Sequence, residues 1–144
     1  MTALRIRMKV VCVFRDDNRI LVAEGFDPGK QETYFIPVGG GVEFGELSRQ
    51  AIRREVKEEL GADIEAAELL GTLENVFTFD NQPHHEIVFV YDARFRDDAI
   101  YRQQTMEGIE SNGDRFKVSW QEIEALAAHS NPLYPDGLLD LLTP

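Results

Sequence analysis

The stretch from Gly40 to Ala62 constrains this chain more than any other: Gly-Gly-Val-Glu-Phe-Gly-Glu-Leu-Ser-Arg-Gln-Ala-Ile-Arg-Arg-Glu-Val-Lys-Glu-Glu-Leu-Gly-Ala. A glycine run, Gly39-Gly40-Gly41, leads into an acidic turn at Glu43 and Glu46. From about Leu47 to Leu60 no breaker intervenes and strong helix formers dominate, so the segment is predicted as a helix. Gly61 readily takes the left-handed conformation that ends one.

Two stripes run along this helix. Ile52, Val56 and Leu60 recur every fourth residue and form an apolar face. Glu55, Glu58 and Glu59 are three and four apart and share one side. Glu59 points only about 60° from the middle of the apolar stripe. A carboxylate there is disfavoured unless paired or metal-bound, and Glu55 repels it one turn away. A hard divalent cation relieves both problems, because it prefers carboxylate and water oxygens. The plainer alternative is a solvated acidic face. Arg54 weighs against that: it lies two turns after Glu46, in reach of a pair that fixes the glycine loop against the helix. A loop so pinned offers a backbone carbonyl, such as that of Gly40, as a further ligand.

The stretch resembles the signature of the Nudix hydrolases. Gly40, Glu46, Arg54, Glu55, Val56, Glu58, Glu59 and Gly61 match at the family's spacing, and so many fixed positions make a specific pattern. Ala62 stands where the family has a larger aliphatic, and Val38 is an extra residue where many relatives have Pro-Gly-Gly. The resemblance implies a metal-dependent hydrolase of a nucleoside diphosphate linked to another group. Glu55, Glu58 and Glu59 would carry Mg²⁺ or Mn²⁺, with Glu58 and Glu59 as direct ligands. For Glu55 the roles of ligand and base stay open. Glu46 and Arg54 complete the catalytic set as the brace. Many relatives add a glutamate outside this stretch, for which Glu110, Glu86 and Glu107 are the candidates here, in that order. The alternative function is a non-catalytic binding or regulatory module, against which the retention of every acidic position counts.

A chain of 144 residues fits one domain, 1–144, with a real core. A net charge of −11 argues against nucleic-acid polymers and anionic membranes as partners. An acidic protein still binds small anionic phosphates when a metal supplies the positive charge locally. Cys12 is the single cysteine, which excludes an internal disulfide, suits a reducing cytoplasm and reads as a core residue. The N-terminus, Met1 to Arg7, has no apolar signal core, and no apolar run approaches membrane length. A homodimer is left open.

The remaining elements are read from alternation and turn residues. Arg5 to Phe14 is a strand with Ile6, Met8, Val10, Cys12 and Phe14 on one face. Arg19 to Glu24 returns from a turn at Asp16-Asp17-Asn18, and Gly25 to Lys30 is a loop. Tyr34 to Ile36, Ala66 to Phe79, His85 to Phe95 and Phe116 to Trp120 are strands, with a turn at Asp80-Asn81-Gln82-Pro83. Asp97 to Asp114 reads as a long polar loop. Gln121 to Ala128 is helical, and Leu133 to Leu142 a short helix or turn. The expected class is α/β in the α+β sense: a helix–sheet–helix sandwich around a mixed central sheet, to which Nudix domains are similar. Phe26, Tyr34, Phe77, Phe79 and Tyr101 are candidates for stacking on a base. His84 and His85 sit at a hairpin as groups able to titrate near phosphate.

Overall fold

In the computed structural model, which describes residues 4–142, β1 (Ile6–Val13) leaves Ile6 and Met8 exposed and then buries both faces from Val10 onward. The single apolar face expected from alternation is therefore only half of the arrangement. Val10, Cys12 and Phe14 enter one core, and Val11 and Val13 another. The reading of the N-terminus falls partly on residues 1–3, which lie outside the described residues.

The first sheet has the order β5–β1–β7–β6, with β5 (Gly39–Gly41), β6 (Ile64–Phe79) and β7 (Gln82–Phe95). β1 and β7 are parallel and the other pairs antiparallel, so the sheet is mixed. The second sheet is antiparallel and holds β2 (Arg15–Asp16), β3 (Arg19–Asp27), β4 (Glu32–Ile36), β8 (Thr105–Ile109) and β9 (Arg115–Glu122). One core joins α1 (Ser48–Leu60) to both sheets through Ile52, Val56, Val10, Leu21 and Trp120. The other joins Val11, Val13, Ile20 and Val22 to Leu126 of α2 (Ile123–Ala128) and to Leu138 and Leu142 of α3 (Leu138–Leu142). Helices thus cover opposite faces of the strand layer, as an α+β sandwich requires. No helix among the described residues is long and apolar enough to cross a membrane.

Several expectations are corrected. The glycine run is not a free loop but an edge strand: Gly39, Gly40 and Gly41 pair with Val11, Val10 and Lys9. A Cβ on Gly39 would collide with the backbone of Val10 and approach Val11 Cα to 2.7 Å, so only glycine fits. Val38, the extra residue, turns into the core, where it is 2% exposed. β3 does not stop at Glu24 but runs to Asp27, because the ring of Tyr34 on β4 lies over Gly25 and supplies the packing that glycine lacks. The polar stretch after Asp97 holds a 3-10 turn at Asp98–Arg102 and strand β8, whose Gly108 sits under the ring of Phe116. The hairpin turn is Asp80-Asn81 alone, both at positive φ (50° and 61°), leaving Gln82 and Pro83 in β7. Of Leu133 to Leu142, only Leu138–Leu142 is helical.

Candidate active site

The helix that carries the acidic residues begins without a side-chain cap at Leu47; instead Gln50 Oε1 accepts from the Leu47 N–H at 2.9 Å. It ends at Gly61, which has φ 67° and donates to the Lys57 carbonyl at 2.9 Å. Ala51, Ile52 and Val56 are its buried side. Glu55 and Glu59 lie at the edge of that side, half buried, and Glu58 is exposed.

Arg54 organises the junction between this helix and the preceding loop. Its Nε and Nη2 donate to the two oxygens of Glu46 at 2.8 and 2.9 Å, a bidentate fork. Nη2 also donates to the Gly41 carbonyl at 2.9 Å, and Nη1 to Glu55 at 2.9 Å and Glu58 at 3.3 Å. Five N–H groups meet five acceptors, so Arg54 has no donor left for a ligand. The carbonyl it grips belongs to Gly41. Gly40, whose carbonyl the sequence offers as a metal ligand, packs its Cα against the Glu55 carboxylate, where a Cβ would strike it. The hydrogen bonds from Arg54 hold the Glu46 carboxyl below its ordinary range, and those from Glu46 push the guanidinium up in turn.

Glu59 has the opposite environment. Burial, and next the charge of Glu55, push its carboxyl up to about 8. The Gly39 N–H donates to its Oε1 at 3.2 Å and Lys9 opposes the shift, while Glu110 adds to it. Among the described residues no three acidic, histidine or cysteine side chains close into a metal cage: Glu55 and Glu58 lean toward Arg54, while Glu59 turns to Gly39.

The three outlying glutamates are separated by the strands that carry them. Glu110 follows β8 and is close enough to act on Glu59. Glu107 is held on the surface by Arg115 at 2.9 Å. Glu86, on β7, faces a cleft on the side of the sheet away from α1. His85 pairs with Glu74 at 2.8 Å, and His84 stacks on Phe77. Of the aromatic candidates, Tyr34, Phe77 and Phe79 line that same cleft. Tyr101 packs on Trp120, with its hydroxyl taking the Phe95 N–H at 3.0 Å, and Phe26 is exposed. Sequence reading passed over Lys9; its signal was its register, opposite Gly41 in the glycine strand.

A NUDIX domain profile matches residues 4–139, nearly the whole chain. The chain belongs to the Nudix family. The Nudix fold is borne out by solved structures. A MutT NUDIX hydrolase from Burkholderia pseudomallei is 24% identical with a TM-score of 0.70, over 96% of this chain and 99% of that one. A NUDIX hydrolase from Nitrosomonas europaea is 20% identical with a TM-score of 0.70, over 96% and 86%. A NUDIX-family hydrolase from Clostridium perfringens is 22% identical with a TM-score of 0.61, over 97% and 100%. The stretch that resembles the family signature forms the β5–α1 unit described above.

Proposed function

We propose that the protein hydrolyses the phosphoric anhydride of a nucleotide-type diphosphate with the help of Mg²⁺ or Mn²⁺. The observation that carries this reading is Glu59, a half-buried carboxylate beside Glu55 whose charge nothing nearby fully offsets. The donor set fits a hard divalent cation: three carboxylates at three- and four-residue spacing and a glycine strand whose backbone comes close to them. Glu58 and Glu59 would be direct ligands, Glu55 would complete the acidic set against Gly40, and the Gly40 carbonyl is the backbone candidate. When bound, the cation neutralises phosphate charge and makes a water acidic enough to attack at neutral pH.

The chain's own residues supply the rest. Arg54 and Glu46 fix the loop through Gly41, so the helix that carries the carboxylates is held in place against the glycine strand. Glu110, the outlying carboxylate whose charge reaches Glu59, would accept a proton from the attacking water. Lys9 puts a positive charge between the glycine strand and the cleft, where phosphate oxygens would lie. The test is a phosphate-release screen over nucleoside triphosphates, ADP-ribose, nucleotide sugars and dinucleoside polyphosphates with each cation. Turnover of at least one class that stops on chelation is expected; no turnover of any, or turnover untouched by exhaustive chelation, contradicts the reading.

A further inference from the structure

A cleft of about 250 Å³ opens between the first sheet and the end of β4. That is small for a ligand site and suits one ring system with its attached sugar. Its wall is aromatic. Phe77 and His84 stack at 5.3 Å, Phe79 stands edge-on to His84 at 6.1 Å and to Tyr34 at 6.3 Å, and Tyr34 meets Tyr134 at 5.4 Å.

Strand register gives this wall an order. Phe77 and His84 form one cross-strand row. Asn75, Glu86 and Arg7 form the next, and Leu73, Val88, Lys9 and Gly41 the third. Successive rows are about 7 Å apart along the strands. The third row ends at Gly41 on the glycine strand, two residues from Gly39, whose N–H reaches Glu59, a carboxyl on which Lys9 acts. Along the strands, the cleft therefore presents flat aromatic rings, then a carboxylate, then an ammonium group at the edge where the glycine strand lies.

The carboxylate is unspent. Glu86 is half buried and makes no hydrogen bond or ion pair among the described residues. Its row-mate Asn75 is used up on the backbone of Asp136, accepting at 2.9 Å and donating at 3.4 Å. Asp27, also in the cleft, already takes the N–H groups of Asp80, Gly29 and Lys30 at 2.8, 3.0 and 3.4 Å. A half-buried carboxylate without a partner calls for a ligand that donates to it. A nucleotide presents base, sugar and phosphate in the order in which the wall presents rings, acceptor and cation. The groups that arrive at Glu86 are then the ribose hydroxyls, which are donors that a carboxylate binds well.

We infer that the cleft takes the nucleoside end of the substrate and that Glu86 selects ribonucleosides over 2′-deoxyribonucleosides by accepting from the ribose 2′-hydroxyl. This rests on the hydrolase reading above for the position of the phosphates. It assigns Glu86 to specificity rather than to the chemical step.

The experiment compares ADP with 2′-deoxy-ADP as binding probes, by calorimetry with Mg²⁺, and ATP with 2′-deoxy-ATP as substrates. Wild type, Glu86→Ala and Glu86→Gln are measured side by side. Wild type should favour the ribose form about tenfold or more, the range of a hydrogen bond to a charged group. Glu86→Ala should bring the ratio close to one, leave the 2′-deoxy values within about twofold of wild type, and Glu86→Gln should fall between. A wild-type ratio near one overturns the inference, as does an Ala variant that loses kcat equally on both substrates, which would make Glu86 a catalytic carboxylate. Ribose-selective binding without turnover would support this inference while contradicting hydrolysis of these substrates. Absence of binding to both probes would overturn it.

Discussion

Arg54 grips both oxygens of Glu46, eight residues earlier, at 2.8 and 2.9 Å, and with the same guanidinium holds the carbonyl of Gly41. One side chain thus fixes the loop, the start of the helix and the glycine strand relative to one another. Arg54→Ala would leave the Gly41 carbonyl without its side-chain donor and Glu46 with only the Glu43 N–H. The expected cost is about 1–3 kcal/mol of stability, with Mg²⁺ affinity and activity falling further than the fold does. Glu46→Gln should behave alike, and Arg54→Lys should not rescue, since an ammonium group cannot make the fork. Metal titration and thermal melting of the three variants check this; wild-type titration curves would remove the bracing role.

Three adjacent glycines should respond differently to alanine. Gly39→Ala drives a Cβ into the Val10 backbone and should cost about 1–3 kcal/mol. Gly40→Ala meets only the Glu55 carboxylate, a movable group, so the fold should survive while activity falls at least about tenfold. Gly41→Ala meets nothing within 4 Å and should stay within about 0.5 kcal/mol of wild type. Chemical denaturation and a turnover assay on the three variants separate these outcomes. Equal losses at all three positions would mean the strand is not seated as described.

Cation binding should compete with a proton. Glu59 must ionise to act as a ligand, and its carboxyl is pushed up to about 8 by burial and Glu55. Apparent Mg²⁺ affinity should therefore rise with pH toward about 8 and level off above it, approaching tenfold per pH unit at the steepest. Calorimetric titration from acid to alkaline pH measures it. A flat profile across that window would mean Glu59 binds no cation.

The helix and its chemistry were legible in the sequence because they depend on short spacings. Its span, its end at Gly61, the Arg54–Glu46 pair and the half-buried edge position of Glu59 all follow from a 3.6-residue period. Features decided by distant partners were not. Gly25 and Gly108 read as loop, yet rings of Tyr34 and Phe116 from neighbouring strands cover them and keep them in sheets. That Arg54 also reaches the Gly41 carbonyl depends on where the glycine strand lies beside β1. What separates Glu107 from Glu110 in space appears only when β8 pairs with β9 and sends Glu107 to Arg115. The aromatic cleft joins residues from β4, the β6–β7 hairpin and the segment before α3, so no local pattern announces it.

The central claim is that Glu59 is a charge the fold tolerates for the sake of a cation. Its folded-state carboxyl titrates at about 8, above the ordinary 4.5, so the folded protein binds the extra proton between those values. In chelator, this group's contribution therefore declines as pH rises from about 4.5 to about 8 and is fully lost above it. Glu59→Gln removes that loss along with the repulsion from Glu55, while keeping shape and helix propensity. The decisive measurement is thermal melting of wild type and Glu59→Gln at about pH 9, in chelator and in saturating Mg²⁺. In chelator the variant should melt higher than wild type, and in Mg²⁺ the order should reverse because the cation stabilises the wild-type fold more strongly. A variant that melts well below wild type in chelator, or an order that Mg²⁺ leaves unchanged, would contradict the account.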